Sequence, residues 1–333
     1  MKDKFISFII ISRNEEKLIK SCIESVINCS SEYNNSEIIL VDSASTDRTI
    51  DIAKRYPIKI IQLKPNWILS PAAGRYIGFK HSKGKYLFFI DGDMLLVKGW
   101  LKEAFSYLKK DDVAGIAGKI IDKFEDNSSP LVIKRINIDS KFVKFGEVDF
   151  LGGHGIYKRS VFDEVGCYHP FLRSGEEYEL SNRIRIKNYK LLRLPTPMVI
   201  HRNKFLNLFI YIRKYRWEYP KGIGSGIRFA FRTNKHIFLR RSPEIILAMF
   251  FNLSILYVLF SLLTLIKGYI LFSIIAIAGY FLLFILMINR RKIFKDALLS
   301  IFLFHITSLA MLIGFLKDLP DPEEYPDNPI VIK

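Results

Sequence analysis

Cysteine is scarce in this sequence, and its spacing fits neither a disulfide framework nor a metal knuckle. The 333 residues include only Cys22, Cys29 and Cys167. So few cysteines argue against a disulfide-stapled secreted scaffold and are typical of a reducing compartment. A secretory signal is also missing, because the short apolar run Phe5–Ile11 is followed at once by the charged segment Arg13–Glu16. We therefore expect the first two hundred residues to remain in the cytoplasm.

Acidic residues are nearly absent between His201 and Arg241. Glu218 stands there against eleven lysines and arginines, and the whole chain has a formal charge of +17. Such a basic block is attracted to anionic lipid headgroups. A solvated charged face is the plain alternative. Nucleic-acid binding is disfavoured, because no nucleic-acid-binding fold signature accompanies the charge.

Long apolar runs are concentrated in the segment 242–316. They are Ile245–Ile266, Tyr269–Ile288 and Ala297–Leu316. Each has about 20 residues, the length that a helix needs to cross a bilayer core of roughly 30 Å. Buried core helices are the alternative, but three successive runs of this length favour an all-α region of three transmembrane helices.

The charges that flank these runs predict their orientation. Basic residues precede the first run and separate the second from the third, whereas the tail 317–333 is acidic. By the positive-inside rule, the preceding domain is cytoplasmic and the C-terminus lies outside. The sequence thus predicts a multi-pass protein of the cytoplasmic membrane, with lipids as partners. Region 203–241 would lie in the membrane interface as a basic amphipathic segment, and an ordinary amphipathic helix packed on the domain is the alternative.

The first two hundred residues alternate between strand and helix patterns. Phe5–Ile11 and Glu37–Val41 read as buried strands, and apolar residues at helical spacing lie between them. This order predicts an α/β fold with parallel strands and helices on the faces of the sheet. Ligands of such sheets bind beyond the carboxyl ends of the strands, where Asp42 and Asp91 are expected.

The tripeptide Asp91-Gly92-Asp93 directly follows a buried apolar strand. Two carboxylates one residue apart at a strand end can face one hard cation, which in turn can bridge phosphate oxygens. Asp-Gly-Asp alone is a common turn, but its position at the sheet edge favours a metal site. One helix upstream, Arg75 offers a positive charge for a phosphate.

Taken in order, these motifs resemble those of family 2 glycosyltransferases with the GT-A, Rossmann-like fold. The resemblance covers roughly residues 5–216 and defines a glycosyltransferase domain at 1–202. The matching segments are Ile9–Glu16, Val41–Thr49, Gly74–Gly78, Asp91–Asp93 and Gly175–Leu180 with Arg183. It implies an inverting enzyme that moves a sugar from a nucleotide donor, usually a uridine diphosphate sugar.

The resemblance also implies roles for individual residues. Asp42 would bind the base, and Arg13 and Glu15 would line the nucleoside pocket. Asp91 would contact the ribose or the metal, and Asp93 would bind the metal, commonly Mg²⁺ or Mn²⁺. His201 resembles a histidine that in some relatives approaches the metal or the diphosphate. A purely structural histidine is the alternative there.

Inverting transfer needs a base for the acceptor hydroxyl, and Glu176 and Glu177 are the candidates. The family usually has Glu-Asp here, and Glu177 aligns with the aspartate, so Glu177 is the first choice and Glu176 the second. An acidic helix N-terminus that merely complements the helix dipole is the alternative.

Several positions depart from the family pattern or concern the acceptor. Ser43 and Tyr76 replace a usual Asp and Asn. The segment Arg213-Lys214-Tyr215-Arg216-Trp217 resembles the Gln-x-x-Arg-Trp signature of processive synthases, with Arg213 in place of Gln. The turn containing Gly153 and His154 could contact the acceptor, and a purely structural turn is the alternative. Arg213, Arg216 and Trp217 are further candidates for the acceptor side.

We therefore expect single sugar additions to a lipid-linked or glycolipid acceptor in polysaccharide or glycolipid assembly, with a nucleotide-diphosphate sugar as donor and no nucleic-acid partner. A polyprenyl-phosphate glycosyltransferase and a catalytically inert nucleotide-sugar-binding membrane protein are the alternatives.

Overall fold

The structure is a computed structural model that describes residues 5–124, 144–203, 212–232 and 294–333, with a few isolated positions between 256 and 285. The chain divides into two compact units. The first contains Met1–Asn207 and Leu319–Lys333, and the second contains Leu208–Asp318. The predicted spans Ile245–Ile266 and Tyr269–Ile288 lie almost wholly outside the described residues.

In the described part of the first unit, ten strands form one mixed sheet. Four parallel strands lie side by side in the order β3 (Lys59–Gln62), β2 (Ser36–Asp42), β1 (Ile6–Ser12) and β4 (Tyr86–Asp91). The sheet continues through β8 (Gly155–Lys158), β6 (Val113–Phe124), β9 (Lys190–Asn203) and β5 (Met94–Leu96). At the edges, β10 (Ile330–Val331) pairs with β3, and β7 (Gly146–Glu147) pairs with β9.

Helices connect these strands, and the first of them lies where the apolar periodicity predicts a helix. They are α1 (Ile19–Ser30), α2 (Thr49–Ala53), α3 (Pro71–Lys80), α4 (Trp100–Leu108), α5 (Arg159–Val165) and α6 (Glu176–Ile186). All seven residues of β1 are buried, which is typical of a central parallel strand covered on both faces. The predicted α/β architecture is confirmed. The sheet is mixed rather than purely parallel, because β8 runs antiparallel to β4.

Helix α3 lies unusually close to the sheet. Ser70 caps its N-terminus by accepting a hydrogen bond from the Ala73 amide at 3.0 Å. On its sheet-facing side, a Cβ at Gly78 would overlap the Ile9 side chain, and one at Gly74 would lie 3.1 Å from the side chain of Ile11. These glycines therefore let the backbone of α3 approach β1. This close approach places the neighbouring side chains of α3 near the end of the sheet.

The second unit includes a short π-helix (Ile212–Glu218) and two packed helices, α7 (Tyr219–Arg232) and α8 (Phe294–Phe315). Their backbones meet at Gly224 and Gly314, where the Ser225 hydroxyl donates to the Gly314 carbonyl at 2.9 Å. Helix α8 contains most of the third predicted span. Within the described ranges, no helix combines the length and apolar character that a membrane crossing requires, so three transmembrane helices are not confirmed.

The acidic tail belongs to the first unit. Strand β10 pairs antiparallel with β3, with Ile330 opposite Gln62 and Val331 opposite Ile61. Lys80 and His81 of the domain face Glu323 and Asp327 of the tail, at 3.1 Å and 3.4 Å.

This pairing corrects the predicted topology. A tail that forms a strand of the domain's sheet lies on the same side of any membrane as the domain. A cytoplasmic domain and an outside C-terminus are therefore incompatible. The acidic residues of the tail include partners of basic groups on the domain, so their charge does not indicate a side of the membrane.

Candidate functional site

The site lies where the parallel strands end. The strand pairing places Ser12 opposite Asp42 and Ile11 opposite Asp91, so the last residues of β2 and β4 flank the last residues of β1. The two aspartates predicted from separate strand ends therefore lie at one edge of the sheet, as expected for a parallel α/β arrangement.

Asp42 organises the loop that follows β2. Its carboxylate is fully buried and accepts hydrogen bonds from the Ser45 amide and hydroxyl, from the Ser12 hydroxyl at 3.3 Å and from the Gln62 amide group at 3.1 Å. A buried carboxylate with this many donors fixes the conformation around it. Its predicted contact with a nucleotide base stays a prediction.

The loop after β1 interlocks with the loop after β2. Asn14 has a left-handed backbone conformation (φ 55°). Its side-chain oxygen accepts a hydrogen bond from the Thr46 backbone amide, and its backbone amide donates to the Ser45 hydroxyl, both at 2.8 Å. The Glu15 amide donates to the Thr49 hydroxyl at 2.8 Å. Arg13 is exposed beside them and Glu15 is half-buried. The residues predicted to line the nucleoside pocket thus lie on two loops that are joined by hydrogen bonds.

Arg75 is the centre of the charged network. Its Nη2 lies 2.8 Å from Asp91 Oδ1 and its Nη1 lies 2.8 Å from Glu176 Oε1, and only 2% of the residue is exposed. Burial alone would lower the pKa of Arg75, but the charges of Asp91 and Glu176 more than offset it and raise that pKa. The predicted contact of Arg75 with a phosphate stays a prediction. The structure shows a buried guanidinium that joins two carboxylates.

The two glutamates at the start of α6 have different surroundings. Glu176 is buried and is held by Arg75, whereas Glu177 Oε2 is buried and has no hydrogen-bond partner in the described structure. Burial, reinforced by the negative charge of Glu176, raises the pKa of Glu177 to about 8. Glu177 therefore combines an unengaged carboxylate oxygen with a strong affinity for a proton, which are the properties of a general base.

A second charged cluster contains Asp93, just before β5, Asp122 of β6 and His201 of β9. His201 Nδ1 lies 2.8 Å from Asp122 Oδ1, and its Nε2 lies 3.3 Å from Asp93 Oδ2. Burial opposes the charged imidazole, but the hydrogen bonds with Asp122 and Asp93 outweigh it and raise the pKa of His201 to about 9. Asp122 was not found from the sequence, because it belongs to no motif and meets His201 only through the pairing of β6 with β9.

Asp91 and Asp93 have oxygens that can bind a cation, but in the described conformation several of the surrounding groups contact other side chains. Asp93 Oδ1 is buried without a hydrogen-bond partner in the part of the chain described, which suits an oxygen that awaits a hard cation. One carboxylate oxygen of Asp91 is paired with Arg75, and the two ring nitrogens of His201 contact the carboxylates of Asp93 and Asp122. Across the described ranges, no cluster of three or more histidine, cysteine or acidic side chains is arranged to hold a metal ion.

The residues assigned to the acceptor side are separated between the two units. The turn at Gly153 belongs to the site, because a Cβ there would overlap the Arg75 guanidinium. The neighbouring His154 is buried, and burial lowers its pKa to about 3, so it is neutral. Arg213 and Trp217 lie in the π-helix of the second unit, where Arg213 is exposed and Trp217 half-buried; the side chain of Arg216 lies outside the described residues.

Several known proteins have sequences similar to part of this chain. The chain is 29% identical over 192 residues to the poly(ribitol-phosphate) beta-glucosyltransferase of Bacillus spizizenii, covering 56% of this chain and 30% of that protein. It is 26% identical over 197 residues to the poly(ribitol-phosphate) beta-N-acetylglucosaminyltransferase TarP of Staphylococcus aureus, covering 56% and 60%. An Escherichia coli enzyme, UDP-Glc:alpha-D-GlcNAc-diphosphoundecaprenol beta-1,3-glucosyltransferase WfaP, is 32% identical over 111 residues, 33% of this chain and 43% of that one. The chain thus spans about a third to three fifths of these relatives.

Solved structures share the fold. Staphylococcus aureus TarS 1-349 in complex with UDP-GlcNAc superposes with a TM-score of 0.52 and 20% identity, over 69% of this chain and 65% of that one. A mannosyltransferase of Pyrobaculum calidifontis, in complex with GDP-Man and Mn²⁺, gives a TM-score of 0.50 at 16% identity, over 69% and 64%. At these identities the likeness concerns the fold alone. The model of the family described as "Glycosyl transferase family 2" matches residues 7–176. Because this match spans just over half of the sequence and contains Asp42, Arg75, Asp91 and Asp93, the chain belongs to glycosyl transferase family 2.

Proposed function

We propose that this protein is an inverting glycosyltransferase that moves a sugar from a nucleotide diphosphate, UDP in the first instance, to a hydroxyl group of a phosphate-containing acceptor. The proposal rests on one observation, that the charged groups at the sheet edge differ in their partners. Arg75 holds Asp91 and Glu176, while Glu177 retains a carboxylate oxygen without a hydrogen-bond partner in the described structure. Family membership supplies the class of reaction.

The donor would bind across the ends of β1, β2 and β4. The interlocked loops carrying Arg13, Glu15 and Asp42 are the proposed nucleoside side. Asp91 and Asp93 would hold a divalent cation, Mg²⁺ or Mn²⁺, with His201 beside Asp93. Such an ion, when bound, supplies positive charge next to the departing diphosphate. Relatives named for UDP-glucose and crystallised with UDP-GlcNAc support the uridine donor.

Glu177 would act as the base. The acceptor oxygen forms a bond to the anomeric carbon while the bond from that carbon to the diphosphate oxygen breaks. The acceptor proton passes to Glu177, whose raised pKa makes its carboxylate a stronger base than an exposed glutamate. Glu176, which is already paired with Arg75, would position the start of α6.

The names of the relatives support the proposed acceptor class. Two are named for transfer to poly(ribitol-phosphate) and one for transfer to a sugar diphosphoundecaprenol. These acceptors share phosphate groups and sugar or polyol hydroxyls. We propose an acceptor of this kind, attached to a lipid or a polymer and reached at the cytoplasmic membrane face, where the basic region 203–241 would meet anionic headgroups.

A donor screen with purified protein tests the proposed reaction. In the presence of Mn²⁺ or Mg²⁺, we expect hydrolysis or transfer from one UDP-sugar, and loss of that activity after chelation. Asp93→Asn should lower the turnover at least about a hundredfold, because it removes a negative charge from the cation site at nearly constant shape. The matched control is Asp51→Asn, which changes an exposed residue of α2. Undiminished turnover by Asp93→Asn in chelated buffer would refute the site.

Replacement of Glu177 distinguishes a hydroxyl acceptor from a phosphate acceptor. Glu177→Gln should lower kcat about a hundredfold or more with a hydroxyl acceptor, since a positioned base contributes about 10²–10⁴ to the rate. A polyprenyl phosphate arrives already ionised and needs no base. Unchanged kcat in this variant, together with transfer to a polyprenyl phosphate, would therefore favour the polyprenyl-phosphate activity and exclude Glu177 as the base.

The protonation of Glu177 also predicts a pH-dependent stability. Because the folded pKa of Glu177 is raised to about 8, the contribution of this residue to stability is full below its unfolded pKa of about 4.3 and is lost as the pH rises towards 8. Glu177→Gln lacks this loss, so its Tm relative to wild type should increase between pH 5 and pH 9, by roughly 2–6 °C.

Glu164→Gln is the control for this measurement. Hydrogen bonds with Tyr189 and Lys187 lower the pKa of the exposed Glu164, so this residue stays ionised above pH 5 and its replacement should leave the Tm difference nearly constant from pH 5 to pH 9. A Tm difference for Glu177→Gln that stays constant from pH 5 to pH 9 would contradict the raised pKa.

A further inference from the structure

The C-terminal tail, Leu319–Lys333, contributes a strand to the sheet that carries the proposed donor site. The Ile332 amide donates to the Ile60 carbonyl and the Ile60 amide to the Lys333 carbonyl, both at 2.9 Å. The Lys333 ammonium donates to the carbonyls of Lys54 and Tyr56, at 3.0 Å and 2.7 Å, just beyond α2. These bonds anchor the end of the tail beside β3, whose Gln62 donates to Asp42.

Tyr325 is the part of the tail that is buried in the domain. Only 3% of it is exposed, and its hydroxyl donates to the Ile68 carbonyl at 2.7 Å. Its ring packs edge-on against Trp67, Tyr76 and Phe171, with centroid separations of 5.7, 5.9 and 5.5 Å. Aromatic contacts of this kind add to the free energy gained by burial.

These contacts fall on the two segments that lead to the catalytic groups. Trp67 and Ile68 precede α3, and Tyr76 follows Arg75 on that helix. Phe171 lies in the loop that ends at Glu176. The Ser70 hydroxyl, which caps α3, also donates to the Pro170 carbonyl at 3.0 Å, so the two segments are joined directly as well.

From this arrangement we infer that Tyr325 is a positioning residue, which clamps the segment before α3 to the loop before α6 and thereby sets the Arg75–Glu176 pair and the adjacent Glu177. The inference deepens the proposed function and rests on it for its kinetic part. Tyr325 lies outside the matched family region 7–176 and acts through residues inside it. A displacement of about 1 Å in groups of this kind can lower a rate about a hundredfold.

Kinetics and hydrogen exchange of the full-length chain test this role. Tyr325→Ala should lower kcat about ten- to hundredfold and change the KM for the donor by less than about threefold. It should also accelerate backbone hydrogen exchange in segments 64–76 and 167–177. Tyr325→Phe keeps the ring contacts and should remain within about threefold of the wild type in kcat. If Tyr325→Ala does not fold, Tyr325→Leu takes its place.

Tyr33→Ala is the matched control. Tyr33 is similarly buried (5% exposed) and pairs with Phe105 at 5.8 Å, away from both loops. It should destabilise the protein while kcat stays near the wild-type value. Wild-type kcat and exchange in Tyr325→Ala would overturn the inference, as would an equal loss of kcat in Tyr33→Ala.

Hydrogen exchange separates this inference from the proposed function. If the wild type transfers no sugar from any donor, the proposed reaction fails, whereas exchange in the two segments still decides whether Tyr325 clamps them.

Discussion

The guanidinium of Arg75 joins three elements that are distant in sequence. It extends from α3 and contacts Asp91 at the end of β4 and Glu176 at the start of α6, each at 2.8 Å. A buried cation is tolerated only when paired charges and hydrogen bonds compensate its lost hydration. The two carboxylates are likewise buried or half-buried, so removal of Arg75 would leave both of them without a positive partner. The glycines of α3 and Gly153 make room for this arrangement.

This pairing assigns different tasks to neighbouring acidic groups. Glu176 is engaged by Arg75, whereas the next residue, Glu177, keeps an oxygen without a hydrogen-bond partner among described residues and has its pKa raised to about 8. On the other side, Asp93 contacts His201, which Asp122 orients, and keeps its own unpaired oxygen. One end of the sheet thus carries two carboxylate oxygens in different surroundings. We propose that Glu177 is the proton acceptor and that Asp93 is the cation ligand, which suits a reaction that forms one bond to carbon as another breaks.

The sequence predicted the parts of the site that local patterns encode. Apolar runs ending in Asp42 and Asp91 identified the parallel strands and their common edge, since side-chain burial and strand ends are local properties. The contact of Arg75 with Glu176 was not predicted, because Glu176 lies 101 residues away and only the fold brings the two together. Asp122 depends in the same way on strand pairing. The tail was misplaced because β10 has only two residues, and its acidic neighbours resembled an exposed terminus.

A double-mutant cycle on Arg75 and Glu176 tests most directly whether the two act as one unit. We expect Arg75→Lys and Glu176→Gln each to lower kcat about a hundredfold, because lysine cannot hold two carboxylates in a fixed fork and the glutamine variant removes one of those carboxylates. The double variant should be no worse than about threefold below the poorer single variant. Additive losses of about ten-thousandfold, or an Arg75→Lys variant that only raises the KM for the donor, would show that Arg75 binds phosphate independently and would contradict the account.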